Sequence, residues 1–301
     1  MRHYIKNFIT FILVLFLIQS AEAQLKRRIA VFSFEDKTSH RYAWWNGGSP
    51  GDGMADMLVT VLVKNGKYRV IERQEISKIM EEQNLGQSGR VTEQSAAKIG
   101  KLLGVELAVF GAVTEFGYSK SKTGGRIKGV TVGVSKQKAT VAVDVRIVNT
   151  TTGEIIAADN VRKEETTSGL SFSSRLTRFN DRKSFDNSLV GKATRNAVNE
   201  IFSMVEKQME VLPWSGKIIL VKGSVIYIKP GSEGGVKTGD VFAVYSKGEE
   251  LIDPDTGLSL GVEEQKVGTI KVTSLITGGK AAKAMLISGT GVKKGDIIKA
   301  N

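Results

Sequence analysis

The sequence predicts an α+β or α/β fold with two parts: a mixed sheet packed by helices, followed by a small all-β, barrel-like domain. In residues 24–211, short apolar strands alternate with segments whose apolar residues recur at helical spacing. In residues 212–301, short β-like runs are separated by glycine-rich turns. The chain of 301 residues also suits roughly two domains, at about 150 residues each.

Residues 1–23 have the three-part pattern of a cleaved signal peptide. Arg2 and Lys6 supply a basic start, residues 8–18 are apolar, and Ala21 and Ala23 are the small residues that a signal peptidase needs. The apolar run is about half the ~20 residues that a membrane-spanning helix requires. We therefore expect cleavage before Gln24 and export to the periplasm.

Strand and helix signals alternate through the next 190 residues. Residues 28–34 predict a first strand, and Ser49 followed by Pro50 predicts the start of a helix that ends at Asn65-Gly66. Further segments predict strands over 68–71 and 107–116, helices over 74–83 and 92–103, a hairpin over 139–161 and a last helix over 187–211.

Leu212-Pro213-Trp214-Ser215-Gly216 breaks this pattern and predicts a domain boundary. Six β-like runs follow, over residues 217–221, 225–228, 241–245, 267–274, 281–287 and 297–299. They favour a small barrel or sandwich. Residues 235–240 and 291–296 resemble each other and each lead into a strand, which we interpret as repeated turn chemistry.

Composition narrows the possible partners. The chain has no cysteine, so it can form neither a disulfide nor an acylated N-terminal cysteine, and we expect it not to be a lipoprotein.

The formal net charge is +12, and removal of residues 1–23 would take away one net positive charge. In an exported protein this charge favours anionic lipid, cell-wall polymers or acidic proteins over nucleic acid, although it is also compatible with a merely well-solvated surface.

No residue pattern predicts catalysis, a cofactor or a metal site. Residues 47–51 match the G-x-S-x-G pattern of a nucleophile elbow, but Ser49 is better explained as a helix cap. His40 is the only histidine after residue 23 and lies on the same loop, without the order that a catalytic triad on that fold requires. We therefore expect a protein that is not an enzyme.

Several stretches, taken in order, resemble the CsgG family of curli-assembly and holdfast-anchoring outer-membrane proteins. They are residues 28–31 with Phe34, 52–58, 68–73, 100–104, 111–114 and the hairpin 145–154. The resemblance covers roughly residues 28–210. It implies an anticodon-binding-like α/β domain that assembles into a ring, at the outer membrane or in the periplasm.

In the secretion-channel members of that family, two hairpins per subunit join those of neighbouring subunits in a membrane barrel. The resemblance places these hairpins at residues 117–138 and 162–186. The candidate membrane residues are those that alternate there: Val130, Val132, Val134, Leu170, Phe172 and Leu176. Many lysines and arginines crowd the same segments, and such charges are costly on a lipid-facing surface. Surface loops therefore remain an alternative to inserted strands.

The loop over residues 35–48 corresponds in position to the family's pore constriction. Its candidate constriction residues are Tyr42, Trp44, Trp45 and Asn46. A long loop with aromatic residues is typical of a functional segment. The alternative is that these rings pack back on their own domain.

Residues 225–245 and 268–282 resemble the C-terminal β-domain of the flagellar ring protein family, which implies a docking module or a module close to the cell wall. Two functions follow as hypotheses: an oligomeric assembly or transport component at the outer membrane that passes surface-fibre or adhesin subunits, or a soluble periplasmic interaction module. The expected partners are further copies of the chain, exported or accessory envelope proteins, and possible contacts with outer-membrane lipid and peptidoglycan, but not nucleic acid.

Overall fold

The structure, a computed structural model, describes residues 25–38, 48–71, 104–127, 130–168, 181–254 and 259–300. The first part of it is a mixed sheet with helices on one face. Its strands are β1 (Arg27–Val31), β2 (Glu35–Asp36), β3 (Tyr68–Ile71), β4 (Leu107–Ile127), β5 (Val130–Asn149) and β6 (Ile155–Ser168). The helices are α1 (Pro50–Asn65), α2 (Arg182–Asn187) and α3 (Leu189–Val211).

The sheet has the strand order β3-β1-β4-β5-β6, with β2 beside β4. Strand β1 is parallel to both of its neighbours, whereas β4, β5 and β6 run antiparallel. The mixed sheet packed by helices is therefore confirmed. No helix in these ranges could serve as a membrane-spanning segment, since each is too short or too polar.

Helix α1 begins as the sequence predicts. The Ser49 side chain accepts a hydrogen bond from the backbone N–H of Asp52 at 3.1 Å, and Pro50 takes the first helical position, where a missing N–H costs nothing. Gly66 ends the helix with φ of 79°, a conformation that favours glycine.

The main core lies between the sheet and α3. Ala139, Val141, Val143, Val145 and Ile147 alternate along β5 and are all buried, as the sequence pattern predicts. They belong to the same apolar cluster as the inner face of α3, which consists of Ala193, Ala197, Ile201, Val205 and Met209. On the opposite face of the sheet, a smaller cluster contains Phe32 and Phe110, whose rings stack 4.3 Å apart.

The strand predicted over 107–116 continues to Ile127. In the segment 162–186, residues 169–180 lie outside the described residues. Strand β6 occupies the start of that segment, but α2 occupies its end, because Asp181 and Ser184 form a reciprocal capping box and Phe185 is fully buried against the core. The helices predicted over 74–83 and 92–103 lie outside the described residues.

The C-terminal part is a closed barrel of six strands, which decides between the barrel and the sandwich. Its strands are β7 (Ser215–Lys222), β8 (Val225–Lys229), β9 (Val241–Ile252), β10 (Ser259–Leu275), β11 (Ala282–Gly289) and β12 (Ile297–Ala300), in the order β10-β11-β8-β7-β12-β9. Trp214 stacks on Phe242 in its core, with ring centroids 5.0 Å apart.

The two similar turns of the barrel use the same chemistry. The carboxylate of Asp240 accepts the backbone N–H of Lys237 at 2.8 Å, and that of Asp296 accepts the N–H of Lys293 at 2.8 Å. The repeat predicted from the sequence is therefore a repeated turn that feeds β9 and β12.

Candidate assembly surface

Among the described residues, strands β4 and β5 extend past the rest of the sheet. They pair from Leu107 opposite Asn149 to Ile127 opposite Val130, whereas β6 ends at Ser168, opposite Lys136. Residues 122–127 and 130–135, called the ribbon below, therefore form a two-stranded extension. Six residues per strand give it a length of about 20 Å.

A β-bulge lies in β4 before the ribbon begins. Val113 pairs with Val143 and Glu115 with Ala142, so Thr114 is the extra residue. The extra residue shifts the alternation of side chains by one, and the buried ring of Phe116 therefore joins Val113 in the core under the helices. Without the bulge, Glu115 would occupy that inner position.

The register assigns the ribbon positions to two faces, because directly opposed residues share a face. One face, called the valine face below, contains the pairs Ile127–Val130, Gly125–Val132 and Thr123–Val134. The other face contains the pairs Arg126–Thr131, Gly124–Gly133 and Lys122–Ser135. The ribbon thus separates apolar from cationic positions along its length.

Charged residues continue the valine face where the ribbon joins the rest of the sheet. Lys136 and Lys138 continue it, and an exposed network of ion pairs joins Lys138 to Glu164 at 2.6 Å and Arg162 to both Glu164 and Glu115. Hydrogen bonds from Lys138 and then from Arg162 lower the pKa of Glu164. The apolar part of this face therefore ends at Val134.

Two edges of the sheet have no neighbouring strand in the part of the chain that the structure describes. On one side of β4, the last neighbouring strand within the described residues is β2, which ends at Asp36 opposite Val113. No strand in the described ranges flanks the outer edge of β6. Edges of this kind present backbone N–H and C=O groups to any strand that can add to them.

The candidate residues predicted from the sequence fall in different places. Val130, Val132 and Val134 lie on the ribbon portion of β5. The constriction residues Tyr42, Trp44, Trp45 and Asn46 lie outside the described residues, as do Leu170, Phe172 and Leu176. The sequence holds a usable signal for the ribbon: the apolar residues change from odd positions in 139–147 to even positions in 130–134.

A buried cluster of charged residues, which no sequence pattern predicts, lies at the start of β1 and β4. The Oε2 atom of Glu106 is buried without a hydrogen-bond partner, as is the Nε atom of Arg28. Burial raises the pKa of Glu106 to about 7, although the charge of Arg27 and the backbone N–H of Arg28 act in the opposite direction. Burial also lowers the pKa of Arg28, and the charge of Arg69 adds to that effect.

This cluster adjoins the contact between the sheet and the barrel. The guanidinium of Arg27 donates to the carbonyl oxygens of Met209 and Leu212 at the end of α3. Arg69 pairs with Glu233 at 2.7 Å, and the N–H of Lys26 donates to the carbonyl of Gly234 at 2.8 Å. The geometry indicates a structural role at the seam for Arg27, which fixes the end of α3, and for Arg69, which joins the two parts.

Among the described residues, no group of three or more histidine, aspartate or glutamate side chains is placed to hold a metal ion. The described part of the fold presents an extended strand pair, β4 and β5, whose register places apolar and cationic positions on different faces.

The family comparison identifies the class of protein to which the chain belongs. A family model described as "Curli production assembly/transport component CsgG" matches residues 13–215, which is more than half of the chain. The chain belongs to the CsgG family, and the resemblance seen in the sequence is confirmed. Membership supports an envelope-associated protein of a family described by assembly and transport and not by a reaction.

Several solved structures are similar at low sequence identity. They include the hypothetical protein CT253 from Chlamydia trachomatis (16% identity, 60% of this chain and 96% of that chain, TM-score 0.39). The C-terminal domain of LpoB from Salmonella enterica matches at 18% identity over 48% of this chain and 88% of that chain, with a TM-score of 0.31. The PelC dodecamer from Paraburkholderia phytofirmans matches at 14% identity over 57% and 86%, with a TM-score of 0.29. No curated protein matches the chain.

Proposed function

We propose that this protein is a non-enzymatic, homo-oligomeric assembly or transport component of the outer membrane and periplasm, exported by a signal peptide over residues 1–23. The observation that supports it most directly is the ribbon, in which apolar and cationic positions lie on opposite faces. A strand pair with this pattern suits the wall of a pore, with lipid on one side and water on the other.

The strand edges supply the means of assembly. A ring forms when the edge of β4 in one copy pairs with the edge of a hairpin in the next copy, so that each exposed backbone group gains a partner. The proposal assigns one role to each of two domains, residues 24–211 and residues 212–301. The first domain forms the ring, and the second binds accessory envelope proteins or the cell wall.

The loop with Tyr42, Trp44, Trp45 and Asn46 is the proposed constriction, through which exported protein subunits pass. Substitution of Tyr42 and Trp44 by alanine should change transport of a client protein while the oligomer remains intact. Loss of the oligomer in this variant would instead show that the rings pack within their own domain.

A second function, a soluble periplasmic interaction module, is favoured by one observation. Lys136 and Lys138 lie on the valine face, so its apolar part spans only five positions per strand, or about 17 Å. The apolar band of outer-membrane barrels is about 25 Å tall. In this function the ribbon is a surface element that contacts an accessory envelope protein.

A pair of neighbouring substitutions separates the two functions. Val132 lies at the centre of the apolar positions on the valine face, and Thr131 lies on the opposite face. Arginine on a lipid-facing strand near mid-bilayer costs about 2–4 kcal/mol. In the first function, Val132→Arg therefore reduces recovery of the protein in outer membranes, whereas Thr131→Arg has little effect.

The measurement is fractionation of the full-length protein after native export, followed by electron microscopy of the detergent extract. Rings with a detergent belt that are lost only in Val132→Arg would support the pore. Recovery of the unaltered chain in the soluble periplasmic fraction as monomers or small oligomers would reject the pore and favour the interaction module.

A further inference from the structure

One wall of the C-terminal barrel carries basic residues and no acidic ones. The strands that form it are β7, β8, β11 and the part of β10 that pairs with β11, residues 268–275. These segments contain no aspartate or glutamate but five lysines, namely Lys217, Lys222, Lys229, Lys271 and Lys283. We call the outer side of these segments the basic wall.

The alternation of side chains along the strands places the lysines on the outer side. Ile218, Ile226, Ile228, Ile270 and Ala284 are buried in the core of the barrel. Successive residues of a strand point to opposite faces, so the residues next to those of the core point outward. Each of the five lysines lies next to a residue that packs in this core, and each is exposed.

Cross-strand pairing places exposed apolar side chains between the lysines. Two neighbouring rows cross the wall, one of Lys222, Val225, Met285 and Lys271, and one of Leu220, Tyr227 and Lys283. Leu220, Val225 and Met285 are 47%, 37% and 49% exposed. At about 3.3 Å per residue and about 4.8 Å per strand, the wall measures roughly 17 Å by 15 Å.

Ion pairs among the described residues leave the wall positively charged. Lys222, Lys229, Lys271 and Lys283 pair with no acid in the described ranges. Four described acids of the barrel are engaged elsewhere: Glu233 with Arg69, Glu264 with Lys299, and Asp240 and Asp296 with backbone N–H groups. The charge of the wall is therefore complementary to an anionic partner.

The exposed apolar side chains distinguish among anionic partners. A soluble polyanion would pair with the ammonium groups but would leave Leu220, Val225 and Met285 in water. Tyr227 is the only aromatic residue of these segments, whereas surfaces that bind single-stranded polymers stack successive rings on several aromatic side chains. The ammonium group of Lys283 also lies over the Tyr227 ring, 6.0 Å from its centroid.

A bilayer surface accepts both kinds of side chain. Apolar side chains enter the boundary between headgroups and acyl chains, and the ammonium groups stay among the headgroups while the lysine stems are covered. Exposed apolar residues interspersed with lysines are therefore typical of a surface that lies on a membrane.

We propose that the basic wall binds the surface of a bilayer rich in anionic lipid, as a peripheral contact that does not span the membrane. Each lysine close to the headgroups raises the affinity about fivefold, and Leu220, Val225 and Met285 enter the interface. This contact goes beyond the proposed function, since it gives the second domain a lipid surface as its partner. It does not depend on whether the ribbon enters a membrane.

Flotation of the full-length protein with vesicles measures this contact. The chain carries Val132→Arg, so that insertion of the ribbon is disfavoured. The vesicles contain phosphatidylcholine with or without phosphatidylglycerol. We expect binding only to the vesicles with phosphatidylglycerol, and release at about 1 M NaCl, where the Debye length falls to roughly 3 Å.

Two pairs of substitutions in this chain separate the wall from net charge. Lys222→Gln with Lys271→Gln removes two charges from the wall and should weaken binding about 25-fold. Lys293→Gln with Lys294→Gln removes two charges from exposed positions before β12, which lies across the closed barrel from β11. We expect this control to bind within about twofold of the parent chain, because salt screens distant charges. Circular dichroism establishes that the variants fold.

A fluorescent probe then locates the contact. Because the chain has no cysteine, Met285→Cys and Lys294→Cys each provide a single labelling site. The emission of an environment-sensitive dye at position 285 should shift to the blue on vesicles with phosphatidylglycerol. The same dye at position 294 should not shift, since only the first position enters the apolar boundary.

Equal loss of binding in the two double variants would overturn the proposal, as would binding without a change in emission at position 285. Binding to polyphosphate but not to vesicles would also overturn it and would make the wall a site for a soluble polyanion. Failure of the pore is recognised separately. In that case the unaltered chain shows no salt-resistant binding beyond that of Val132→Arg, while the salt-sensitive contact of the barrel remains.

Discussion

Replacement of Glu106 by glutamine should alter how the stability of the protein depends on pH. Burial raises the pKa of Glu106 from an ordinary 4.5 to about 7. Between about pH 4.5 and pH 7, Glu106 therefore holds a proton in the folded protein but has released it in the unfolded chain. The contribution of Glu106 to the free energy of unfolding is fully present below pH 4.5 and is lost as the pH rises through 7.

The size of the effect follows from the shift. A difference of about 2.5 in pKa corresponds to roughly 3 kcal/mol. The residue as a whole is only half-buried, although its Oε2 atom is fully buried, so solvent screening reduces the expected value to roughly 2 kcal/mol. Glutamine mimics the protonated acid, so Glu106→Gln should match the unaltered protein at pH 4.5 and exceed its free energy of unfolding by this amount at pH 8.5.

Urea unfolding of both proteins at several pH values between 4.5 and 8.5 measures this difference. A matched control is Glu154→Gln, since Glu154 is an exposed carboxylate in the turn between β5 and β6. We expect that control to remain within about 0.5 kcal/mol of the unaltered protein at each pH. If the free energy of unfolding depends on pH in the same way in Glu106→Gln and in the unaltered protein, the claim that the buried Glu106 carboxyl binds a proton is refuted.

Three further substitutions test the packing, and all are measured by urea unfolding with circular dichroism. Ser49→Ala removes the cap of α1 and should cost about 1 kcal/mol; no loss would contradict the capping role. Ile201→Ala empties a fully buried position and should cost about 2–5 kcal/mol, whereas Val211→Ala, at a side chain 74% exposed, should cost under about 0.5 kcal/mol. Gly191→Ala would place a Cβ atom 1.9 Å from the carbonyl oxygen of Phe185, so we expect a loss of at least about 2 kcal/mol, and an unchanged midpoint would contradict this contact.

The sequence could predict the features that depend on neighbouring residues. Ser49 and Gly66 specify the ends of α1 because capping involves only the adjoining turn. The alternation over 139–147 specifies the buried face of β5 because successive residues of a strand point to opposite sides. The same local signals support the family resemblance, which the family model confirms over residues 13–215.

Only the tertiary structure decided the features that depend on distant partners. The bulge at Thr114 exists as a mismatch between β4 and β5, which no single strand reveals. Closure of the barrel depends on the pairing of β12 with both β7 and β9, and the burial of Glu106 depends on elements that converge around it. The sequence by itself therefore determined the ends of α1, the buried face of β5 and the family, whereas register, closure and burial were decided by long-range contacts that local periodicity does not encode.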